Sequence, residues 1–553
     1  MKRPIILFTL LLAALGVSCI ENDIPYPDAT LSIERITGQG FTARIEPSTR
    51  SVVLTLDEQT DIRRVAIDEV TFGVSSYTSK LTDEQMLSEM RLSRPLTGEF
   101  DLRAPLYVTL SLYEDFEWTI TAEQHIERSF EVGRQVGATE FDPELFTATA
   151  YVAKGTDLTR IDVASLKLGP ARITTYSPTA EELSGTSFET VRFVDIAYYE
   201  ETERWLLYVR ETDRLVELTG AYAWSEVIWL YGTGVAGEAM GFRYRKAGDT
   251  QWLDVPDVAT SGGSFSARLA AAPETTYEIK AFCGDEESDP ATVTTDPVRQ
   301  LPNSSFEEWC TEDEIVYPYA PGAAPYWSSG NKGAKIAGST LTDKCDPRPG
   351  SEGRYAADLR SEFANIFGVG KFAAGNLFIG DYVRNEGTNG VLTFGRSFVL
   401  RPTRLRIWAK YHQGIIDRVK SVPAGSDIQV GDPDHGHIYI ALGTWGAPEN
   451  LEKYGKDSKG VLTGTADSPV CVDTRDVATF FRNDGPDVIA YGEKVFDSSV
   501  EEWTEFTIDL NYNRYDLVPT NIMVVCSASR WGDYFTGSSK SEMWVDDFVL
   551  EYD

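Results

Sequence analysis

Apolar and polar residues alternate with a period of two along most of the chain. Leu405, Ile407, Ala409 and Tyr411 alternate with Arg406, Trp408, Lys410 and His412. Ile438, Ile440 and Leu442 repeat the pattern, as do Phe506, Ile508 and Leu510. That period sets one series of side chains on one face of a strand. Shorter runs at 107–112, 194–198, 226–231, 241–245 and 275–282 are divided by turn residues, the spacing of β-sandwiches. Only 82–91 reads as a short helix. Residues 60–73, TDIRRVAIDEVTFG, return as TDLTRIDVASLKLG at 156–169, and similarity at a fixed offset predicts two copies of one module. The predicted fold is all-β, with three small sandwich modules followed by one large sandwich of about 250 residues.

Composition sharpens this picture at two points. With 45 Gly, 26 Tyr, 26 Phe and 12 Trp, the chain favours strands and turns over helices. The 85 Asp and Glu against 51 Lys and Arg give a formal charge of -34, and no basic stripe offsets it. Such a chain is repelled by phosphate backbones, so nucleic acid is excluded as a partner.

The first residues, MKRPIILFTLLLAALGVSC, join a basic start at Lys2 and Arg3 to an apolar run too short for the ~20 residues a spanning helix needs. Leu15-Gly16-Val17-Ser18-Cys19 resembles a bacterial lipobox, which implies removal of 1–18 and lipidation of Cys19. Glu21 and Asp23 resemble the acidic export signal of Bacteroidota surface lipoproteins. The resemblance implies an outer-membrane protein, exposed at the cell surface and held to the membrane by its lipid alone. Five further cysteines show no CxxC spacing, so a zinc ribbon or thioredoxin site is not supported. Export permits disulfides, and Cys310–Cys345 is a candidate bridge.

The module at 214–298 resembles a fibronectin type III domain, with Tyr277 as its corner tyrosine. Gly232-Thr233-Gly234-Val235-Ala236-Gly237 matches a dinucleotide fingerprint, but a strand follows where a helix must cradle the pyrophosphate. Farther on stand NSSFEEW at 303–309, FAAGNLFIGDY at 372–382, HIYIALGTW at 437–445, SRWGDYFTGSS at 529–539 and WVDDFVLEYD at 544–553. Together these resemble the putative carbohydrate metabolism domain of Bacteroidota lipoproteins. That resemblance implies a jelly roll akin to carbohydrate-binding modules and some glycoside hydrolases, with immunoglobulin-like modules upstream. The expected order is a signal peptide at 1–18, immunoglobulin-like repeats at 19–112 and 113–213, the fibronectin-like module at 214–298 and the jelly roll at 299–553.

In related jelly rolls the opening strand and the final VDD strand meet, and a Glu and an Asp bind one structural Ca²⁺; the matching residues are Glu307 and Asp546. Strand alternation puts Asp546 with Trp544, Phe548, Leu550 and Tyr552 on the apolar face, where a carboxylate needs a cation or another partner. Asp432-Pro433-Asp434-His435-Gly436 half resembles a calcium loop without its later ligands. Sugar rings present apolar C–H faces, which flat aromatic side chains bind. Trp445, Trp531 and Tyr534 lie on Gly-rich loops, with Arg530 and Asp533 placed to hold hydroxyls and Trp327 as a further ring. Trp309, Trp503 and Trp544 lie on strands and read as core. Glycoside hydrolysis needs two carboxyl groups at a set separation, and the sequence singles out no such pair. It has no GxSxG elbow, and His435 and His437 lack a nearby third ligand. The expected function is capture of a carbohydrate. A glycoside hydrolase, or an adhesin or assembly subunit whose loop aromatics face protein, is the alternative.

Overall fold

The computed structural model describes residues 29–47, 49–76, 81–366, 369–423 and 426–553. The expected signal peptide at 1–18 and Cys19, the expected lipidation site, lie outside them. The chain forms two compact units, residues 1–125 and 126–553. Both are β-structure, as the alternation predicts. Among the described residues no helix is long and apolar enough to cross a membrane.

The first unit is one sandwich. A five-stranded sheet (Phe41–Glu46, Ser51–Leu56, Asp115–Gln124, Leu106–Ser111, Arg91–Leu92) accompanies a three-stranded one (Ala29–Gly38, Val65–Ser76, Gly98–Phe100) around Ile33, Leu54, Val108 and Trp118. The expected boundary at 112 is corrected. Asp115–Gln124 pairs with both Leu106–Ser111 and Ser51–Leu56, so it completes this sheet and the module ends near His125.

The second module repeats that design. Its five-stranded sheet runs Glu140–Asp142, Thr147–Ala153, Glu201–Thr212, Arg192–Tyr198, Thr175–Ser177. In both sheets the second and third strands are parallel and the remaining pairs antiparallel. Each module also has a short helix opened by a threonine capping box, Thr82 with Gln85 and Thr179 with Glu182. The repeated Thr-Asp is an Asx turn: Asp61 accepts the Arg63 N–H and Asp157 the Thr159 N–H, both at 3.0 Å.

The third module has two antiparallel sheets around Ile228, Phe242, Phe265 and Ile279. Tyr277 does tie the expected corner, its hydroxyl accepting the Ala272 N–H at 2.8 Å. The Gly232–Gly237 segment leads into the strand Met240–Lys246. A Cβ on Gly263 would sit 2.5 Å from the Gly137 nitrogen, so glycine there lets the second and third modules touch backbone to backbone.

The last module is a two-sheet sandwich. Its main strands are β1 (Thr342–Cys345), β2 (Ala356–Arg360), β3 (Asn376–Glu386), β4 (Asn389–Phe394), β5 (Arg404–His412), β6 (Gly436–Gly443), β7 (Val470–Asp473), β8 (Val488–Phe496), β9 (Val500–Asp509), β10 (Asn511–Tyr512), β11 (Asn521–Ser527) and β12 (Glu542–Glu551). The larger sheet has the order β7-β4-β3-β11-β6-β8-β10, and the smaller β1-β2-β12-β5-β9. Between them lie Leu405, Ile407, Ile438, Ile440 and Ile508, which the period of two assigns to one face, together with Ile522, Val524 and Val545. The outer face of the larger sheet is also apolar: Phe378, Leu392, Phe394, Ala441, Met523 and Val525 form a second buried cluster there. The five described cysteines are all free, so the Cys310–Cys345 bridge is not formed.

Candidate functional site

Two of the expected platform rings are corrected. Trp445 is only 1% exposed, packed into the outer-face cluster with its ring edge-on to Phe481 at 5.8 Å. Its flanking glycines permit close approach, not exposure: a Cβ on Gly443 would lie 2.6 Å from the indole, and one on Gly446 2.3 Å from Asn521 Oδ1. Trp327 is 0% exposed between the two sheets, against Phe306 and Phe548, its Nε1 donating to the Pro302 carbonyl at 2.8 Å. The reverse correction holds for Trp503 and Trp544. Both lie half-buried under the Lys410 ammonium, and on β12 it is Met543 and Val545, flanking Trp544, that face the core.

Of the remaining residues, Arg530 and Asp533 line a cavity on the outer face of the larger sheet. Its volume is ≈ 200 Å³, with Phe378, Phe394 and Val525 in its lining. Strand alternation supplies the polar wall: while Ile438 and Ile440 face the core, His437 and Tyr439 stand on the other side. Tyr382 on β3 also lines the cavity. Tyr439 stacks on Phe481, with centroids 5.5 Å apart and planes 6° from parallel.

Arg530 and Asp533 line the same space from the segment after β11, with Trp531 and Tyr534 beside them in sequence. Trp531 and Tyr534 are half-buried and meet edge to face at 6.3 Å, and the Arg530 guanidinium lies 4.9 Å from the Trp531 ring. Gly532 lets this segment lie on the sheet, since a Cβ there would be 2.5 Å from that of Ala374. Asp533 keeps open surface, yet the surrounding protein desolvates its carboxyl and pushes its pKa up to about 6.

His437 Nε2 lies 2.8 Å from Glu493 Oε2, which also accepts the Tyr491 hydroxyl at 2.9 Å, with Arg530 3.7 Å away. The His437 bond, the Tyr491 bond and the Arg530 charge together hold the Glu493 pKa down to about 2. Burial lowers the His437 pKa despite that carboxylate, so a neutral imidazole donates to an ionised Glu493. Tyr439, Tyr382, Glu493 and Tyr491 are the residues that sequence reasoning passed over, and His437 was weighed only as a zinc ligand. The signal for His437 and Tyr439 was the face opposite Ile438 and Ile440.

Glu307 and Asp546 lie where the opening segment runs beside β12: the Phe548 N–H donates to the Ser304 carbonyl at 2.8 Å, and the Phe306 and Phe548 rings meet at 5.2 Å. Asp546 is fully buried, but not on the apolar face. β12 bulges at Asp547 (φ 47°), so Val545 and then Phe548 face the core while Asp546 sides with Trp544, opposite Trp408 of β5. Each carboxylate accepts two backbone N–H groups, Glu307 from Arg354 (2.8 Å) and Tyr355 (3.2 Å), Asp546 from Arg348 (3.3 Å) and Asp547 (2.9 Å). Arg348 also pairs with Asp547 at 2.6 Å. Two carboxylates suit a hard cation in kind, but Ca²⁺ takes 6–8 oxygens. Among the described residues no group of three or more His, Cys, Asp or Glu is gathered for a metal.

Residues 305–551 match a family model described as a putative carbohydrate metabolism domain, which covers the C-terminal sandwich and not the modules before it. No curated protein matches the chain. Among solved structures, a putative glycoside hydrolase from Bacteroides thetaiotaomicron is 15% identical over 77% of this chain and 96% of its own, at a TM-score of 0.29. A putative glycoside hydrolase from Bacteroides vulgatus is 21% identical over 45% of this chain and 97% of its own, at 0.30. A carbohydrate-binding module specific for non-crystalline cellulose is 9% identical over 41% of this chain and 86% of its own, at 0.18. The C-terminal sandwich is thus a carbohydrate-related domain, and likenesses of this size carry no argument about its activity.

Proposed function

We propose that this chain is a lipid-anchored, cell-surface glycan-binding protein, and that its C-terminal sandwich captures saccharide in the outer-face cavity. The observation that supports this is the cavity's make-up: apolar residues beneath, Tyr439 and Tyr382 in the wall, His437, Arg530 and Asp533 among them, with Trp531 and Tyr534 alongside. Aromatic faces take the C–H surface of a sugar, and convergent polar groups fix its hydroxyls. Screening the full chain on a glycan array tests this reading. A saturable hit is expected, weakened about tenfold or more by Trp531→Ala or Tyr439→Ala. Silence across plant, host and microbial glycans would favour the adhesin or assembly reading instead.

One observation favours hydrolysis as the second reading. Asp533 in the lining and Glu493, bonded to the lining residue His437, are two carboxyl groups whose surroundings move their pKa values in opposite directions, as the acid and base of a hydrolase require. Release of reducing sugar that disappears in both Asp533→Asn and Glu493→Gln would replace capture by turnover.

Calcium and the anchor complete the proposal. Glu307 and Asp546 would supply two ligands to one Ca²⁺ and backbone carbonyls the others. A ligand of the native state raises the unfolding midpoint, so chelation should lower it by several degrees, and identical scans with and without chelator would end the idea. For the anchor, Cys19→Ser should move the protein from the membrane to the soluble fraction; unchanged partition would contradict lipidation at Cys19.

A further inference from the structure

The charge balance of the chain is inverted at its cavity. Acidic residues outnumber basic ones 85 to 51 overall, yet the lining carries Lys371 and Arg530 against one carboxyl, that of Asp533. Arg530 already faces Glu493. Lys371 has no such partner. It sits half-buried on the strand Val369–Ala373, donating to the Asn389 amide oxygen at 2.7 Å, with its ammonium 3.8 Å from the centroid of the Phe535 ring. Among the described residues no carboxylate stands within 4.0 Å of it. Burial, with the charge of Lys420 nearby, lowers its pKa to about 8, which leaves it mostly protonated at neutral pH. A cation withdrawn from water without a counter-charge is costly, and an anion arriving beside it offsets that cost.

Resting on the glycan-binding reading, we propose that the cavity takes a saccharide bearing an anionic substituent, a uronate carboxylate or a sulfate ester, and that Lys371 reads that charge from a position set by Asn389. At ≈ 200 Å³ the cavity is smaller than the roughly 300–1,000 Å³ of drug-sized pockets, which suits one substituted ring of a longer chain. The negative surface of the protein disfavours acidic polymers at long range, but at about 0.15 M salt that repulsion is screened beyond roughly 8 Å. Local contact then decides.

The test is calorimetric titration of the full chain at that salt with oligogalacturonate, chondroitin sulfate oligosaccharide and cello-oligosaccharide. An acidic probe should bind about tenfold or more tightly than the neutral one, and which acidic probe binds separates carboxylate from sulfate. Lys371→Met should lower that affinity about tenfold, Lys371→Arg should largely retain it, and Lys154→Met, at an exposed pair with Asp213 in the second module, should leave it unchanged. An unaltered melting curve separates lost affinity from lost fold, and Lys371→Gln repeats the measurement if the Met variant melts early. Binding confined to the neutral probe, or acidic binding indifferent to Lys371, overturns this inference and leaves glycan capture standing. Binding of no saccharide at all overturns both.

Discussion

Asp434→Ala is expected to destabilise the C-terminal sandwich by about 3–5 kcal/mol and to abolish saccharide binding although Asp434 is not in the cavity lining. The residue is 0% exposed. One of its oxygens accepts the Ser529 hydroxyl (2.5 Å), the Ser538 N–H (2.8 Å) and the Ser541 hydroxyl (2.8 Å), and the other accepts the His435 N–H (2.9 Å). The Arg530 N–H adds a 2.7 Å bond to the His435 carbonyl. The segment from Ser529 to Ser541, with Arg530, Trp531, Asp533 and Tyr534 on it, is therefore moored at both ends to one buried carboxylate. Alanine leaves three donors from that segment unsatisfied in a buried place, the expensive way to lose a hydrogen bond. Asp434→Asn retains one acceptor oxygen and should fall between. Thermal unfolding and glycan titration check this, with a midpoint drop on the order of ten degrees for the Ala variant; a variant that melts and binds like the parent would show that the segment orders itself.

The same residue shows where sequence reading stops. Asp432-Pro433-Asp434 suggests a calcium loop because acidic residues cluster there. Its bonding partners lie about a hundred positions away, and nothing local announces a carboxylate turned inward. What depends on neighbours in the chain was legible: the strands around Ile407, Ile438 and Ile508, and the repeat, whose two copies share sheet order and helix cap. What depends on distant segments was not. The period of two separates Ile438 and Ile440 from His437 and Tyr439, but residues 443–487 cover part of that outer face, and which part remains open follows from their path. Glycines beside Trp445 read as a loose loop because a sequence does not distinguish a glycine that frees the chain from one that lets an indole press against it. One bulge at Asp547 was enough to put Asp546 on the unexpected face.

The second large effect concerns how the cavity-bearing sandwich is carried. Trp224→Ala is expected to release it from the third module at a cost of about 3–5 kcal/mol. Trp224 of the third module is fully buried, with ring centroids 4.4 Å from Tyr512 and 5.7 Å from Tyr515 of the last module and 5.6 Å from Trp229 of its own. Its Nε1 donates to the Tyr515 carbonyl at 3.3 Å. Arg401, 7% exposed, crosses the same junction to the Ala223 carbonyl (2.8 Å) and to Asp296 (2.9 Å). An aromatic cluster joined by an ion pair with a buried arginine is a junction that resists bending, unlike the polar linkers that let domains move. In the parent, the third and last modules should unfold together and the stretch around 296–301 should resist protease. In Trp224→Ala that stretch should become the first site of cleavage and the calorimetric transition should split, while glycan affinity stays unchanged because no cavity residue is touched. Arg401→Met, which keeps the apolar stem and removes the ion pair, should weaken the coupling less. A single transition and an intact linker in Trp224→Ala would mean that the joint is held elsewhere, and a fall in glycan affinity would mean that the third module shapes the cavity as well as carrying it.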